Sequence, residues 1–210
     1  MMGDQMTRFF QPVPAVAFAF ALVLAAFGAS AGAARAAEDT VPGQNMRLPD
    51  NDMIEAARDG NIAGIRDALM RGIPVDDGGI DFVPAIVVAT DYNHLDAVKY
   101  LLSRGANPNR KARDGRTALA VAAQAGRANI VSVLLDNGAD PNLVAQNSDT
   151  PLFIAVRAHR TTVVQLLVQH KVDIGDTDIT GRSALDLAEE RHYDDIASIL
   201  REAERRESGD

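Results

Sequence analysis

The chain has 210 residues, 47% of them hydrophobic and 24% charged, so it is neither a disordered protein nor one that spans a membrane many times. Its net charge of −8 argues against nucleic acid as a partner, because phosphate binding requires a concentrated basic surface. The sequence contains no Cys, which excludes disulfides, thiolate zinc sites and cysteine nucleophiles.

Residues 1–36 have the pattern of a secretory signal peptide. Arg8 precedes an uncharged stretch, 12–34, which is dominated by Ala, Val, Phe and Leu and ends in small residues. Because A-x-A triplets continue to Ala36, we expect cleavage after that residue and export of the product. The alternative is an uncleaved anchor, since about 20 apolar residues suffice to span a bilayer. Residues 37–49 contain Pro and Gly without an apolar period, and we expect them to form a linker.

From residue 50 onward the chain repeats itself with a period of 33 residues. The longest column of this repeat consists of five small residues, Ala56, Ala89, Ala122, Ala155 and Ala188. Two further columns are in register with it: Thr117, Thr150 and Ser183, and Leu119, Leu152 and Leu185.

Each period predicts two helices. Thr117, Thr150 and Ser183 stand at N-cap positions, where a hydroxyl accepts a hydrogen bond from a first-turn N–H, and Pro after Thr150 suits the first helical position. Gly126 is expected to end the first helix in a left-handed conformation. The second helix carries a core-facing stripe, formed by Ile130, Val131, Leu134 and Leu135. Because one such unit cannot bury its apolar side alone, the units must stack.

This pattern resembles the ankyrin repeat, a unit of two antiparallel helices and a projecting loop. The residues that carry the resemblance are Asp114-Gly115-Arg116-Thr117-Ala118-Leu119, Ala122-Ala123, Ile130-Val131-Ser132-Val133-Leu134-Leu135, Gly138-Ala139-Asp140-Pro141-Asn142 and Thr150-Pro151-Leu152-Phe153-Ile154-Ala155. The resemblance implies an all-α solenoid of about five stacked helix–turn–helix units with projecting loops. The expected units are 50–78, 79–111, 112–144, 145–177 and 178–203, followed by a polar tail, 204–210.

The sequence departs from the family pattern in two ways. None of the units has the family's His after the T-P-L step, since Val87, Ala120, Phe153 and Asp186 occupy that position. In the second unit, Phe82 stands where Gly115 and Gly181 stand. Because a bulky residue disfavours positive φ, we expect the turn of the second unit to differ.

We find no catalytic, cofactor or metal site in the sequence. His159 and His192 hold the same repeat position as Gly126, and elements packed roughly 8–10 Å apart keep two imidazoles too distant to share an ion. We interpret both as polar helix terminators. The sequence also lacks a nucleophile paired with a base, a phosphate-binding loop and an H-E-x-x-H motif. An enzyme is therefore not expected.

The resemblance implies instead a concave surface for a partner protein, formed by the loop tips and the exposed ends of the first helices. By register, the candidate binding residues are Ile80, Phe82, Tyr92, Arg113, Arg116, Gln124, Gln146, Arg157, Ile179, Arg182 and Arg191. Five of these are Arg on an acidic chain, which favours a partner with an acidic patch, with Phe82 and Tyr92 as aromatic anchors. The alternative is that Arg at loop tips only keeps the protein soluble. We expect charge reversal at Arg116, Arg157 and Arg182 to weaken binding and leave folding intact.

The sequence thus predicts a non-catalytic protein-interaction module, exported to a bacterial periplasm, where it protects or regulates an enzyme. Two alternatives stay open. The protein could be a membrane-tethered scaffold that keeps its N-terminal segment, or a secreted effector that binds a host or competitor protein.

Overall fold

A computed structural model of the chain describes residues 52–145 and 148–208. The predicted signal peptide (1–36) and linker (37–49) lie outside these residues. The described residues form ten helices and no β-strand, which confirms the all-α prediction for this part of the chain. Across this part, every helix is too short or too polar to cross a lipid bilayer.

The helices form two layers, because each repeat contributes one helix to each layer. The inner layer consists of α1 (Asp52–Asp59), α3 (Ala85–Asp91), α5 (Ala118–Ala125), α7 (Pro151–Arg157) and α9 (Ala184–Glu190). The outer layer consists of α2 (Ile62–Met70), α4 (Leu95–Ser103), α6 (Ala128–Asp136), α8 (Thr161–Gln169) and α10 (Asp194–Ser208). Consecutive helices of a layer contact one another, and the two helices of each unit pack together. Residues 204–208 of the predicted polar tail continue α10.

The core lies between the layers and between successive repeats. Every member of the alanine column is buried, one on each inner helix, where a small side chain lets neighbouring helices approach closely. The predicted stripe of α6, from Ile130 to Leu135, is buried at all four of its apolar positions. The 33-residue spacing therefore identified the core correctly.

Left-handed backbone recurs at three positions of the repeat. The first position ends the inner helix and holds Gly60, Asn93, Gly126, His159 and His192. The second position follows the outer helix and holds Gly72, Gly105, Gly138 and Lys171. The third position lies in the loop before the inner helix and holds Phe82, Gly115, Ser148 and Gly181. The interpretation of His159 and His192 as helix terminators is thereby confirmed.

The expectation of a different backbone conformation at Phe82 is wrong. Phe82 has a φ of 54°, in the same left-handed region as Gly115. Its N–H donates to the carbonyl of Gly79 at 3.2 Å, and its own carbonyl accepts from the N–H of Arg113 in the next repeat at 3.1 Å. These hydrogen bonds fix the turn against the preference of a bulky side chain, which costs about 1–2 kcal/mol at such a φ.

Replacing Lys171 with glycine should raise the free energy of unfolding by about 1 kcal/mol. Lys171 is exposed and has a φ of 58° at a position where the preceding repeats have glycine. Glycine removes the steric strain of that conformation, and this gain exceeds the entropy that glycine loses on folding. Urea denaturation of both proteins measures the difference.

The reverse substitution, Gly138→Ala, provides the matched control. A Cβ atom at Gly138 would meet no other atom within 4 Å, so the substitution causes no clash and tests only the cost of the left-handed φ. The free energy of unfolding should therefore fall by about the amount that Lys171→Gly raises it. If Lys171→Gly lowered stability while Gly138→Ala left it unchanged, strain at this position would be refuted.

Two of the three predicted side-chain caps form. The hydroxyl of Thr117 accepts from the N–H of Ala120 at 3.1 Å, and Ser183 forms a reciprocal capping box with Asp186. Thr150 is the N-cap residue of α7, but its hydroxyl is buried and has no hydrogen-bond partner among the described residues. The prediction of a capping hydroxyl is therefore wrong at Thr150.

A row of side chains at the N-caps of the outer helices joins each repeat to the one before it. We call His94, Arg127 and Arg160 the N-cap row. Each reaches a backbone carbonyl at the C-terminal end of the preceding repeat's inner helix, where such groups lack partners within their own helix. The acceptors are Arg58 for His94 (2.8 Å), Thr90 and Asp91 for Arg127 (2.7 Å to Asp91) and Gln124 for Arg160 (3.0 Å).

A second row of hydrogen bonds joins the repeats through the segments that follow the outer helices. The side-chain oxygens of Asp76, Asn109 and Asn142 each accept from a backbone N–H of the next repeat. The donors are Asn107 (2.9 Å), Asp140 (2.8 Å) and Asp173 (2.8 Å). Successive repeats are thus linked by polar contacts in addition to their apolar packing.

Candidate functional site

The loop-tip face is the surface formed by the loops before the inner helices and by the C-terminal ends of those helices. Four of its predicted residues are large hydrophobic side chains, and all four are exposed: Ile80 (53%), Phe82 (61%), Tyr92 (53%) and Ile179 (81%). Arg113, Gln124 and Arg191 are also exposed, whereas Arg116, Arg157 and Arg182 are half-buried. Gln146 lies outside the described residues.

In the second repeat, each exposed aromatic ring has an arginine beside it. The Cζ atom of Arg113 lies 5.9 Å from the centroid of Phe82, and that of Arg58 lies 5.8 Å from the centroid of Tyr92. Such cation–π contacts hold a ring and a charge together at a surface. We call these four residues the aromatic cluster.

Sequence reasoning missed Arg58. It lies at the end of α1, in the repeat position that holds Gln124 and Arg157 in later repeats. Register alone could therefore have added it to the candidate residues. Among the described residues, neither Arg58 nor Arg113 forms an ion pair, so both guanidinium groups are available to a partner.

Arg116 is bound by carboxylates of its own chain. Its Nε lies 2.6 Å from Asp114 and its Nη1 lies 3.5 Å from Asp91. Asp114 raises the pKa of Arg116. Partial burial would raise the pKa of Asp114, but the hydrogen bonds from Arg116 outweigh it and lower that pKa.

Asp178 is the centre of an ion-pair network between the fourth and fifth repeats. Its side chain has no exposed surface, and its carboxylate lies 3.3 Å from Arg157 and 3.0 Å from Arg182. The hydroxyl of Thr180 donates to it at 2.5 Å, and backbone N–H groups of Thr180 and Arg182 donate as well. These hydrogen bonds, that of the Thr180 hydroxyl foremost, lower the pKa of Asp178, so the carboxylate stays ionised although it is enclosed.

The network extends beyond Asp178 in both directions. Arg157 also contacts Asp149 at 3.2 Å, and Arg182 contacts Glu190 at 2.5 Å. Burial raises the pKa of Asp149, and the neighbouring charge of Asp178 adds to this shift while Arg157 opposes it. Arg157 thus bridges two carboxylates of different repeats.

These ion pairs argue against the expectation that charge reversal of Arg116, Arg157 and Arg182 leaves folding intact. Reversal at Arg157 or Arg182 would place a second negative charge beside an enclosed carboxylate, which is strongly unfavourable. The two residues therefore have a structural role in joining repeats, and their substitution is not a clean test of binding.

His159 belongs to another contact between the fourth and fifth repeats. Its ring stacks on Tyr193 with centroids 4.0 Å apart, and its Nε2 lies 3.0 Å from the carboxylate of Asp195. The hydroxyl of Thr161 donates to the same carboxylate at 2.5 Å. This arrangement ties α8 to α10. No three His or acidic side chains converge as metal ligands anywhere in 52–145 or 148–208.

The contacts of Asp195 predict a pH-dependent contribution to stability. The Thr161 hydroxyl, and then His159, lower the pKa of Asp195 from 3.8 to about 2. Because the folded state favours the carboxylate, the stabilisation is complete above pH about 4 and is lost as pH falls toward 2. Asp195→Asn should therefore lower the melting temperature at neutral pH, and its difference from the parent protein should vanish near pH 2.

Asp194→Asn provides the control, because the structure shows this neighbouring carboxylate in no ion pair with other described residues. Its effect at neutral pH should be smaller than that of Asp195→Asn. An Asp195→Asn deficit that persisted unchanged to pH 2 would contradict the assignment.

Comparison with known proteins matches the repeat pattern to one family. The family model described as ankyrin repeats, in three copies, matches residues 53–145 and 138–207. These matches cover most of the chain and include residues of all ten described helices.

One curated relative shares part of the array. The chain is 39% identical over 66 residues to the transient receptor potential cation channel subfamily A member 1 homolog of Caenorhabditis elegans. The match covers 30% of this chain and 5% of that protein, so the chain spans only a small part of this relative's length.

Proposed function

The chain belongs to the ankyrin-repeat family, whose repeats bind partner proteins, and from this premise we propose that it is a non-catalytic module that binds its partner through the loop-tip face. The family membership accounts for a rigid stack of helices with side chains projecting from its loops. It does not identify the partner, which depends on the particular side chains displayed.

The observation that carries this proposal is the position of the exposed hydrophobic side chains. Of the six large hydrophobic residues exposed in the described residues, five lie on the loop-tip face: the four predicted ones and Val144, in the loop before α7. Exposed apolar side chains that cluster on one surface mark interaction sites, whereas isolated ones need no explanation. Their concentration on this face supports contact with a protein surface.

Within the loop-tip face, the aromatic cluster of the second repeat is the strongest candidate for the binding centre. Aromatic and arginine side chains dominate the energetics of protein interfaces. Phe82 and Tyr92 are exposed, and their arginines have no carboxylate partner in the described chain. In the fourth and fifth repeats, by contrast, Arg157 and Arg182 share Asp178, and each also pairs with a second carboxylate. A partner with acidic groups around an apolar contact fits the aromatic cluster.

A cross-linking experiment in the cells that produce the protein tests this function. The tagged full chain, its Phe82→Ala/Tyr92→Ala variant and a Met70→Ala control would be cross-linked and purified, and bound proteins identified by mass spectrometry. Met70 is an exposed large hydrophobic residue at the end of an outer helix, so the control removes exposed apolar surface outside the loop-tip face. A partner held by the parent chain and the control but lost from the aromatic variant is the expected result. A partner retained by the aromatic variant would refute this face.

We further propose that the protein is exported to a bacterial periplasm after cleavage behind Ala36, where it protects or regulates an enzyme. The support is the apolar stretch 12–34 with the small residues that follow it. N-terminal sequencing of the purified protein tests cleavage, and an intact N-terminus would favour the membrane-tethered scaffold. Release by osmotic shock is expected, whereas recovery from the culture medium would favour the secreted effector.

A further inference from the structure

Two arginines converge on one tyrosine of the outer layer. The Cζ atom of Arg66, on α2, lies 6.0 Å from the ring centroid of Tyr100, on α4. The Cζ atom of Arg104, the C-cap residue of α4, lies 5.1 Å from the same centroid. Tyr100 is half-buried and both arginines are exposed. Two positive charges therefore lie within about 6 Å of a single ring, on a chain whose net charge is −8.

Neither charge is neutralised by the described part of the chain. Arg66 and Arg104 form no ion pair there, although Asp67 and Asp96 lie on the same two helices. Arg71, which holds the position of Arg104 in the preceding repeat, is paired with an aspartate at 2.7 Å. An anion in contact with both guanidinium groups would be attracted by two positive charges at once.

The hydroxyl of Tyr100 adds an uncommitted polar group to the same place. Its oxygen is enclosed and has no hydrogen-bond partner among the described residues, which is unusual for a buried polar atom. The N–H donors of the two guanidinium groups, those of Arg66 foremost, stabilise the phenolate and so lower the pKa of Tyr100, and their positive charges add to this shift. A phenol hydroxyl can donate to an oxyanion.

We propose that Arg66, Tyr100 and Arg104 bind a phosphate group. Each guanidinium can donate two parallel hydrogen bonds, and the hydroxyl can donate one more. A phosphate dianion matches two arginines in charge, and its tetrahedral oxygens accept from several directions. A carboxylate has a single charge and accepts within one plane. The ligand is free phosphate or a small phosphate monoester, which present the same group.

Titration of the full chain with inorganic phosphate at constant ionic strength, followed by NMR of the arginine Nε–H groups, tests the site. Saturable shifts at Arg66 and Arg104 are expected, and they should be absent from the Arg66→Gln/Arg104→Gln variant. Tyr100→Phe keeps the ring and loses the hydroxyl, and it should weaken binding by about tenfold. Arg110→Gln/Lys111→Gln removes the same charge from an exposed loop and should bind phosphate like the parent.

A second titration with glycerol phosphate identifies the source of the group. Equal affinity for both probes would show that the site recognises the phosphate group of a monoester, and binding of inorganic phosphate alone would assign the site to the free anion. Shifts that never saturate, or equal affinity in the Arg66→Gln/Arg104→Gln variant, would overturn the proposal. Far-UV circular dichroism of each variant confirms that its helices are intact.

Discussion

Replacing Leu119 with alanine should lower the free energy of unfolding by about 2–5 kcal/mol. Leu119 is 2% exposed and lies on α5, which packs against α3 on one side and α7 on the other. Both neighbours are held by further repeats, so the stack cannot collapse into the space that the leucine leaves. The lost transfer free energy and the remaining cavity both contribute to the destabilisation.

Urea denaturation monitored by circular dichroism measures this loss, and Leu185→Ala is the matched control. Leu185 holds the same repeat position on α9, but it is only partly buried. Its substitution should therefore cost less than that of Leu119. A Leu119→Ala protein with the unfolding curve of the parent would contradict the repeat register on which the fold assignment depends.

Replacing Arg127 with alanine should cost about 1.5–3 kcal/mol, the range for hydrogen bonds made by charged groups. The Arg127 guanidinium donates to the carbonyls of Thr90 and Asp91, at the end of the inner helix of the preceding repeat. Thr90 is fully buried, so its carbonyl loses a partner in a place that water does not easily reach.

Two further substitutions separate this contact from a general effect of charge. Arg110→Ala removes an exposed arginine from a loop and should leave the midpoint of urea unfolding almost unchanged. Arg127→Lys keeps the charge but lacks the planar fork that bonds two carbonyls, so its stability should be intermediate. Equal midpoints for Arg127→Ala and Arg110→Ala would show that the N-cap row does not stabilise the array.

The sequence could predict much of this fold because the repeat reports the same physical requirement several times. A single alanine such as Ala122 says little, but five at one spacing require a close contact between neighbouring helices. Likewise Thr117 before an apolar run predicts a capped helix, and the structure shows that cap. Caps and helix contacts that recur in successive repeats can therefore be predicted from the sequence alone.

The contacts between side chains from different repeats could not be predicted in the same way. Asp178 occupies the position of Ala112 and Ala145, so nothing in the repeat pattern indicated a carboxylate that binds Arg157. At Phe82, the residue's own preference predicted the wrong backbone, because hydrogen bonds from the loop and the next repeat determine φ. In both cases one residue depends on partners that are distant in sequence.

The same distinction applies to the candidate site, where the sequence predicts which residues are exposed but not which side chains they contact. Exposure of Ile80, Phe82, Tyr92 and Ile179 agrees with their predicted position at loop tips and helix ends, because the repeat register fixes which positions face solvent. Whether an arginine contacts an aromatic ring or a carboxylate does not follow from the register. Arg113 stacks on a ring, whereas Arg182 is bound to carboxylates, and only the identity of nearby side chains distinguishes them.

The N-cap row makes the repeats thermodynamically dependent on one another. Through this row, α4, α6 and α8 each hold the end of an inner helix from the preceding repeat, so an interior repeat cannot open without releasing its neighbours. The surroundings of Tyr92 illustrate this dependence. Arg58 of the first repeat lies over its ring, while Arg127 of the third holds the carbonyl of the residue before it. A substitution in one repeat can therefore change how the next presents its binding residues, although the substituted residue itself never touches the partner.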